Sequence, residues 1–393
     1  MALILGIPKE IKTLEKRVGL TPEGLHQLTQ QGIQVYVEKG AGEASGFSNA
    51  AYEQAGALFA NSAAELYECS QIIQKIKEPL PSEFAYFHPG LILFSFLHLA
   101  APSSCDLVKA LRDNKVTALA FETLEKDGQR PLLTPMSEIA GALSSLFAGY
   151  YLKLELLKPG GSGNACQAPF SRFSIREDLE KIGGAYPEIL PGMCSAAHTV
   201  IFGGGIAGAS AAHYALRLGG DVTVIEKSRP RSEQLSEMFK SAGSRFQVGQ
   251  LECLPTALFR AAEIWIGAVH QTGKRAVQVV DKTFMETMCR ENPKIIMDIS
   301  IDQGGNFPEA LPTSYEDPIY RDSWGNVRFC VPNIPSLAGR FASERLTSLV
   351  LPYTHALAEG YEQAVQCYPE LTSSANVMDG RILLDCVRAA HGL

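Results

Sequence analysis

The run Val200-Ile-Phe-Gly-Gly-Gly-Ile-Ala-Gly208 constrains this chain more than any other stretch. An apolar, β-branched segment ends at Gly203, and Gly203, Gly205 and Gly208 fall at G-x-G-x-x-G spacing. Ala209 to Leu218 then reads as a helix stopped by Gly219-Gly220, and Asp221-Val-Thr-Val-Ile-Glu226 reads as a second strand closing on a carboxylate. Such a βαβ unit is the signature of a dinucleotide site. Its first glycine permits the tight turn, the second lets a pyrophosphate approach the backbone, and the third lets helix and strand pack closely. Ala207, inside the glycine run, joins the cofactor-binding set, and the N-terminus of the helix that follows faces the phosphates with unpaired N–H groups. Glu226 stands where a carboxylate accepts hydrogen bonds from ribose hydroxyls, which argues for NAD. Glycine triplets also serve plain helix–strand packing; the flanking strand, helix and terminal carboxylate favour the nucleotide.

The 393 residues leave room for two domains. A 46% hydrophobic and 20% charged composition is that of a soluble globular protein. The formal charge of −7, with no basic block, speaks against nucleic acid or an anionic membrane as partner. The apolar stretch Leu91–Pro102 is too short to span a bilayer, and the first residues show no charged leader, so a cytoplasmic protein is expected. Nine cysteines are scattered without a C-x-x-C pair, which reads as reduced, buried thiols and gives no metal-binding spacing.

Short apolar runs alternate with amphipathic stretches, so the expected class is α/β. Strands are expected at Leu3–Ile7, Ile33–Glu38, Gln71–Lys77, Leu91–Phe96 and Val116–Phe121, and later at Glu263–Val269 and Lys294–Ser300. Long helical patterns at Ser137–Leu157 and Ser343–Ala358 read as connectors, followed by a polar tail. They predict two Rossmann-like domains: a discontinuous one at 1–133 and 341–393, and an inserted nucleotide-binding one at 134–340 carrying an extra, poorly patterned segment at about 163–197.

Several segments together resemble the alanine dehydrogenases over nearly the whole chain. They are Gly6-Ile-Pro-Lys-Glu-Ile-Lys12, Arg17-Val-Gly-Leu-Thr-Pro-Glu-Gly24, Glu38-Lys-Gly-Ala-Gly42, Lys75-Ile-Lys-Glu-Pro79, Leu97-His-Leu-Ala100, Thr134-Pro-Met-Ser-Glu-Ile-Ala-Gly141 and Asp298-Ile-Ser-Ile-Asp-Gln-Gly-Gly305. The last run separates them from the related transhydrogenase nucleotide domains. The resemblance implies NAD-dependent, reversible conversion of L-alanine and water to pyruvate, ammonium and NADH. It also implies two Rossmann-like domains across a cleft, and homohexamers.

Oxidative deamination needs a cation for the substrate carboxylate, a second donor for the carbonyl or imine, a group titrating near neutrality, and a carboxylate to manage water and ammonia. By resemblance Arg17 is the carboxylate anchor and Lys77 the second substrate-binding cation. Unaided, Arg17 reads as a surface cation, and Lys75 with Lys77 as a charged strand edge. His98 lies in an apolar run and would ordinarily be a satisfied core histidine; the resemblance makes it the acid/base. Asp302 follows a strand and would ordinarily cap the next turn; the resemblance pairs it with the histidine in catalysis. Ser137, Ile301, Val269 and Asn333 occupy cofactor-binding positions, with an N-cap role also open to Ser137.

The match frays at 163–197, at Leu311, at His270 and in the hinge after Asn333. Arg229 and Arg231 could accommodate an extra phosphate, but Glu226 would repel it, and Arg231 joins the cofactor set. Two rivals remain: an opine-type dehydrogenase using another amine, and a catalytically idle NAD-binding module.

Overall fold

The computed structural model describes residues 2–156, 197–270 and 275–392. Nearly all of the extra segment predicted at 163–197 lies outside them. The chain divides into two compact units, Met1–Pro135 with Ala338–Leu393, and Met136–Leu337.

The first unit carries β1 (Leu5–Ile7), β2 (Val35–Glu38), β3 (Leu58–Ala60), β4 (Ile72–Gln74), β5 (Ile92–Ser95) and β6 (Thr117–Ala120). The second carries β7 (His198–Phe202), β8 (Asp221–Ile225), β9 (Phe246–Gly249), β10 (Ile264–Gly267), β11 (Ile295–Asp298), β12 (Ile319–Arg321) and β13 (Val327–Phe329). The chain then returns to the first unit with β14 (Ala375–Met378) and β15 (Arg381–Ile382).

The first sheet runs β15-β14-β6-β5-β4-β1-β2-β3 and the second β12-β13-β11-β10-β7-β8-β9. Each has a six-stranded parallel core in the doubly wound order 3-2-1-4-5-6, with antiparallel strands added at one edge. Both faces of such a sheet are covered, so its strands are continuously apolar. Accordingly β5 and β10 are buried at every position. Leu93, Ala118 and Val377 lie in the first core, and Phe202, Trp265 and Phe307 in the second.

Three sequence expectations need correction. The polar tail folds into helices and the β14–β15 hairpin, and β14 pairs with β6. Its strands, of four and two residues, carry too little periodicity to be read locally. The connector helix starts at Thr134 with Pro135 in its first turn, so Ser137 is inside it and not its N-cap. Among the described cysteines, Cys253, Cys367 and Cys386 are exposed, not buried.

Candidate active-site edges

In a doubly wound sheet, ligands bind beyond the carboxyl ends of the strands where the order reverses. That point falls between β1 and β4 in the first unit and between β7 and β10 in the second. Every proposed functional residue except Ser137 lies in a segment leaving a strand at its carboxyl end.

In the first unit, Arg17 sits on the segment after β1, Lys77 after β4 and His98 after β5. Thr21 N-caps the helix Pro22–Gln30, with Pro at its first position, and so ends the segment carrying Arg17. Buried hydroxyls pin this segment to the helix Gly339–Ala358: Ser343 Oγ accepts from Val18 N at 3.0 Å, and Thr347 Oγ1 from Thr21 N at 3.1 Å. Gln74, at the end of β4, donates to Gly19 O at 2.6 Å. A Cβ on Gly19 would lie 2.5 Å from Gln74 O, so only glycine allows this approach.

Arg17 is therefore no surface cation; it is 3% exposed. Its Nε and Nη2 donate to the two oxygens of Glu15 at 2.7 and 2.6 Å. A side-on carboxylate of this kind fixes the plane of a guanidinium, which has five N–H donors in all. Lys75 and Lys77 do not form a charged edge either. Lys75 is buried and bonded to Glu83 at 2.6 Å, while Lys77 is 7% exposed. The Lys77 backbone follows Ile76, whose amide donates to Glu10 Oε1 at 2.5 Å. Burial pushes the Glu10 carboxyl up to about 7, against the pull of Lys75. Burial acts in the same sense on Glu78, but Lys77, Lys12 and His98 outweigh it and hold that carboxyl below its usual range.

His98 is not a core histidine: its neighbours Leu97 and Leu99 are buried, but its side chain is 46% exposed. Its backbone is left-handed at φ 48°, uncommon for a non-glycine residue. The Glu122 carboxylate holds that turn by accepting from Leu97 N at 3.2 Å and His98 N at 2.7 Å. The same carboxylate lies 3.9 Å from His98 Nδ1, and the ring stacks on Phe96 at 6.2 Å between centroids.

In the second unit the three glycines do three different things. Gly203 turns at φ +102°, and a Cβ there would lie 2.8 Å from Val269 Cγ2. Around Gly205 the space is open, with nothing within 4 Å of such a Cβ. On Gly208 it would lie 1.8 Å from Gly203 O. This is a cradle that a pyrophosphate can approach, at the N-terminus of the 12-residue helix Ile206–Arg217. The connector helix crosses there: a Cβ on Gly141 would be 2.0 Å from Ala207 O, and Ser210 Oγ donates to Glu138 O at 2.7 Å. Ser137 lies on this same connector helix, one residue before Glu138.

Glu226 accepts from Gly204 N and Ser228 N, both at 2.8 Å, which locks its carboxylate beside the glycine loop. Arg231 Nε donates to Gly204 O at 2.7 Å, whereas Arg229 turns to Glu233. Ile301 is buried and Asp302 exposed in the turn after β11. Asp302 does not cap that turn; Asp298 does, accepting from Ser300 N at 3.2 Å. Burial raises the Asp298 carboxyl to about 6. Asn333, after β13, adopts φ 61°, a conformation asparagine tolerates better than most residues.

Residues 6–140 match the model of the alanine dehydrogenase/PNT N-terminal domain, and residues 180–385 that of the C-terminal domain. An alanine dehydrogenase of Methanococcus maripaludis is 34% identical across 100% of this chain and 97% of its own length. This chain belongs to the alanine dehydrogenase family. The alanine dehydrogenase of Bacillus subtilis is 35% identical over 98% of this chain and 94% of its own. A solved L-alanine dehydrogenase superposes with a TM-score of 0.82 at 32% identity, covering 99% of both chains. A transhydrogenase from Sinorhizobium meliloti, at TM-score 0.72 and 20% identity over 97% of this chain and 99% of its own, shares the fold. Among the described residues no helix is long and apolar enough to cross a membrane.

Within this alanine dehydrogenase family member, sequence reasoning missed Glu15, Glu122 and Glu10. Glu15 stands two residues before Arg17, a spacing that could have suggested it. Glu122 is 24 residues from His98 and Glu10 is 66 from Ile76, and no local pattern joins them.

Proposed function

We propose that this protein catalyses the NAD-dependent, reversible oxidative deamination of L-alanine. The carrying observation is that a guanidinium, an ammonium and an imidazole leave β1, β4 and β5 at the same end of one sheet. The reaction balances as L-alanine, NAD⁺ and water giving pyruvate, ammonium, NADH and a proton. The open cradle at Gly205, the helix N-terminus and the locked Glu226 carboxylate suit NAD, which when bound supplies the hydride acceptor.

Each side chain then has a task set by its chemistry. Arg17, oriented by Glu15, binds the substrate carboxylate, and Lys77 donates to the oxygen or nitrogen at Cα. After oxidation at Cα, water adds to the substrate imine and ammonia leaves the carbinolamine. His98 takes a proton from that water and later returns one to the departing nitrogen. Asp302 supplies the carboxylate acting with His98. Ser137, Gly203, Gly205, Ala207, Gly208, Glu226, Arg231, Val269, Ile301 and Asn333 bind the cofactor. We extend the proposal to a cytoplasmic homohexamer, which light scattering would register at about six times the 42.6 kDa chain mass.

The test is direct. Protein, NAD and L-alanine at alkaline pH should raise the absorbance of reduced nicotinamide, and NADH, pyruvate and ammonium should lower it. No signal across a panel of small amino acids would refute the assignment.

A further inference from the structure

We infer that Asn306 is a positioning residue for the cofactor: its side chain sets the height of Val269, and through Val269 the floor of the glycine loop. The inference rests on the proposed reading that Val269 lies against NAD.

Asn306 is fully buried. Gly304 and Gly305, at φ +100° and +81°, fold the chain back after β11 and bring it over the end of β10. There Gly267 makes room: a Cβ on it would stand 2.9 Å from Asn306 Cβ and 3.0 Å from Oδ1. The Asn306 side chain then does for Val269 what a neighbouring strand would do. Its Oδ1 accepts from Val269 N at 3.0 Å, and its Nδ2 donates to Val269 O at 2.9 Å. The same Nδ2 donates to Val277 O at 2.9 Å, and Asn306 O accepts from Val279 N at 2.8 Å. Asn306 N is itself fixed on Asp298 Oδ2 at 2.7 Å. A second, weaker tie joins Val269 O to Ser300 Oγ at 2.9 Å.

A chain of close contacts thus runs from Asp298 through Asn306 to Val269 and on to Gly203. β10 ends at Gly267, two residues short of Val269, and among the described residues the primary amide stands where a sheet partner would. The three bonds require one acceptor and two donors on adjacent atoms, which a primary amide provides; a carboxylate has no donor, a hydroxyl has one, and an aliphatic group has neither.

Asn306→Asp keeps the shape but turns carboxylate oxygen towards the carbonyls of Val269 and Val277. Ser300→Ala removes only the weaker tie. NADH affinity is read by fluorescence titration of the intact protein, beside KM for L-alanine at saturating coenzyme. The expected result is a Kd for NADH raised roughly tenfold in Asn306→Asp and about threefold in Ser300→Ala, each the scale of one or two lost hydrogen bonds. The alanine KM should stay within about twofold of wild type, because the change is confined to coenzyme binding. Unchanged NADH affinity in Asn306→Asp, or a parallel rise in both constants, overturns the inference. If Asn306→Asp does not fold, Asn306→Ser is read in its place, with the same direction of change expected in the Kd for NADH. Absence of NADH binding by the wild-type protein overturns the functional reading itself, and this inference with it.

Discussion

The two sheets share one strand order but furnish their carboxyl edges by opposite means. The first unit buries charged side chains there: Arg17 on Glu15, Lys75 on Glu83, and Lys77 near enough to Glu78 to lower its carboxyl. The second offers chiefly backbone: an open Gly205, a helix N-terminus, and amides held by Glu226, Asp298 and Asn306. The difference follows from what each edge is proposed to hold. A small zwitterion offers few atoms, and fixed charges in a poorly solvated place grip it strongly. A dinucleotide offers a pyrophosphate between two riboses, which several weak N–H donors on a rigid turn can hold.

The contrast can be broken most severely at His98. His98→Ala should lower kcat by about 10²- to 10⁴-fold, the range of a lost general acid/base, while NADH titration of the second unit shows little change. Loss of NADH binding in that variant would show that the edges are not separate in function. Next comes Arg17→Lys, which keeps the charge but loses the fork that Glu15 orients. KM for L-alanine and pyruvate should rise by roughly 10- to 100-fold, consistent with about 1.5–3 kcal/mol for a charge-assisted bond. Equal KM values would remove Arg17 from substrate binding.

A smaller effect is expected on the backbone-lined edge. Glu226→Ser removes the carboxylate next to the glycine loop while Arg231 stays, so the NAD-to-NADP preference in kcat/KM should fall by about tenfold, or 1.4 kcal/mol. A preference that does not move would place the ribose elsewhere.

The smallest effect concerns pH. Because the Glu10 carboxyl is raised to about 7 from the usual 4.5, the folded chain holds its proton where the unfolded chain has released it. The corresponding stability is present below about 4.5 and is lost as pH rises through about 7. Glu10→Gln should flatten the fall in unfolding midpoint across that window. An unaltered slope would show that Glu10 does not retain its proton. Asp298, raised to about 6, works in the same direction on the other edge, so the slope should flatten without vanishing.

Much of this was legible in the sequence. The glycine spacing and its flanking strands led to the turn at Gly203, the open approach at Gly205 and the tight packing at Gly208, because each depends on residues within one βαβ unit. The pattern of alternating apolar runs led to the α/β class for the same reason. Arg17, Lys77 and His98 are proposed through resemblance; their local setting pointed the wrong way about burial, to a surface cation, a charged edge and a core ring.

What the chain determined by itself was therefore short-range: where strands and helices fall, where glycine must turn, and which residue types are present to do chemistry. Tertiary structure alone decided their state. It buried Arg17 against Glu15, put the ring of His98 in solvent over a left-handed turn held by Glu122, and brought Asn306 from beyond β11 onto Val269 beside β10. The physical reason is that burial and hydrogen-bond partnership depend on which strand becomes whose neighbour, and the crossovers set that over tens of residues, beyond the reach of any local pattern.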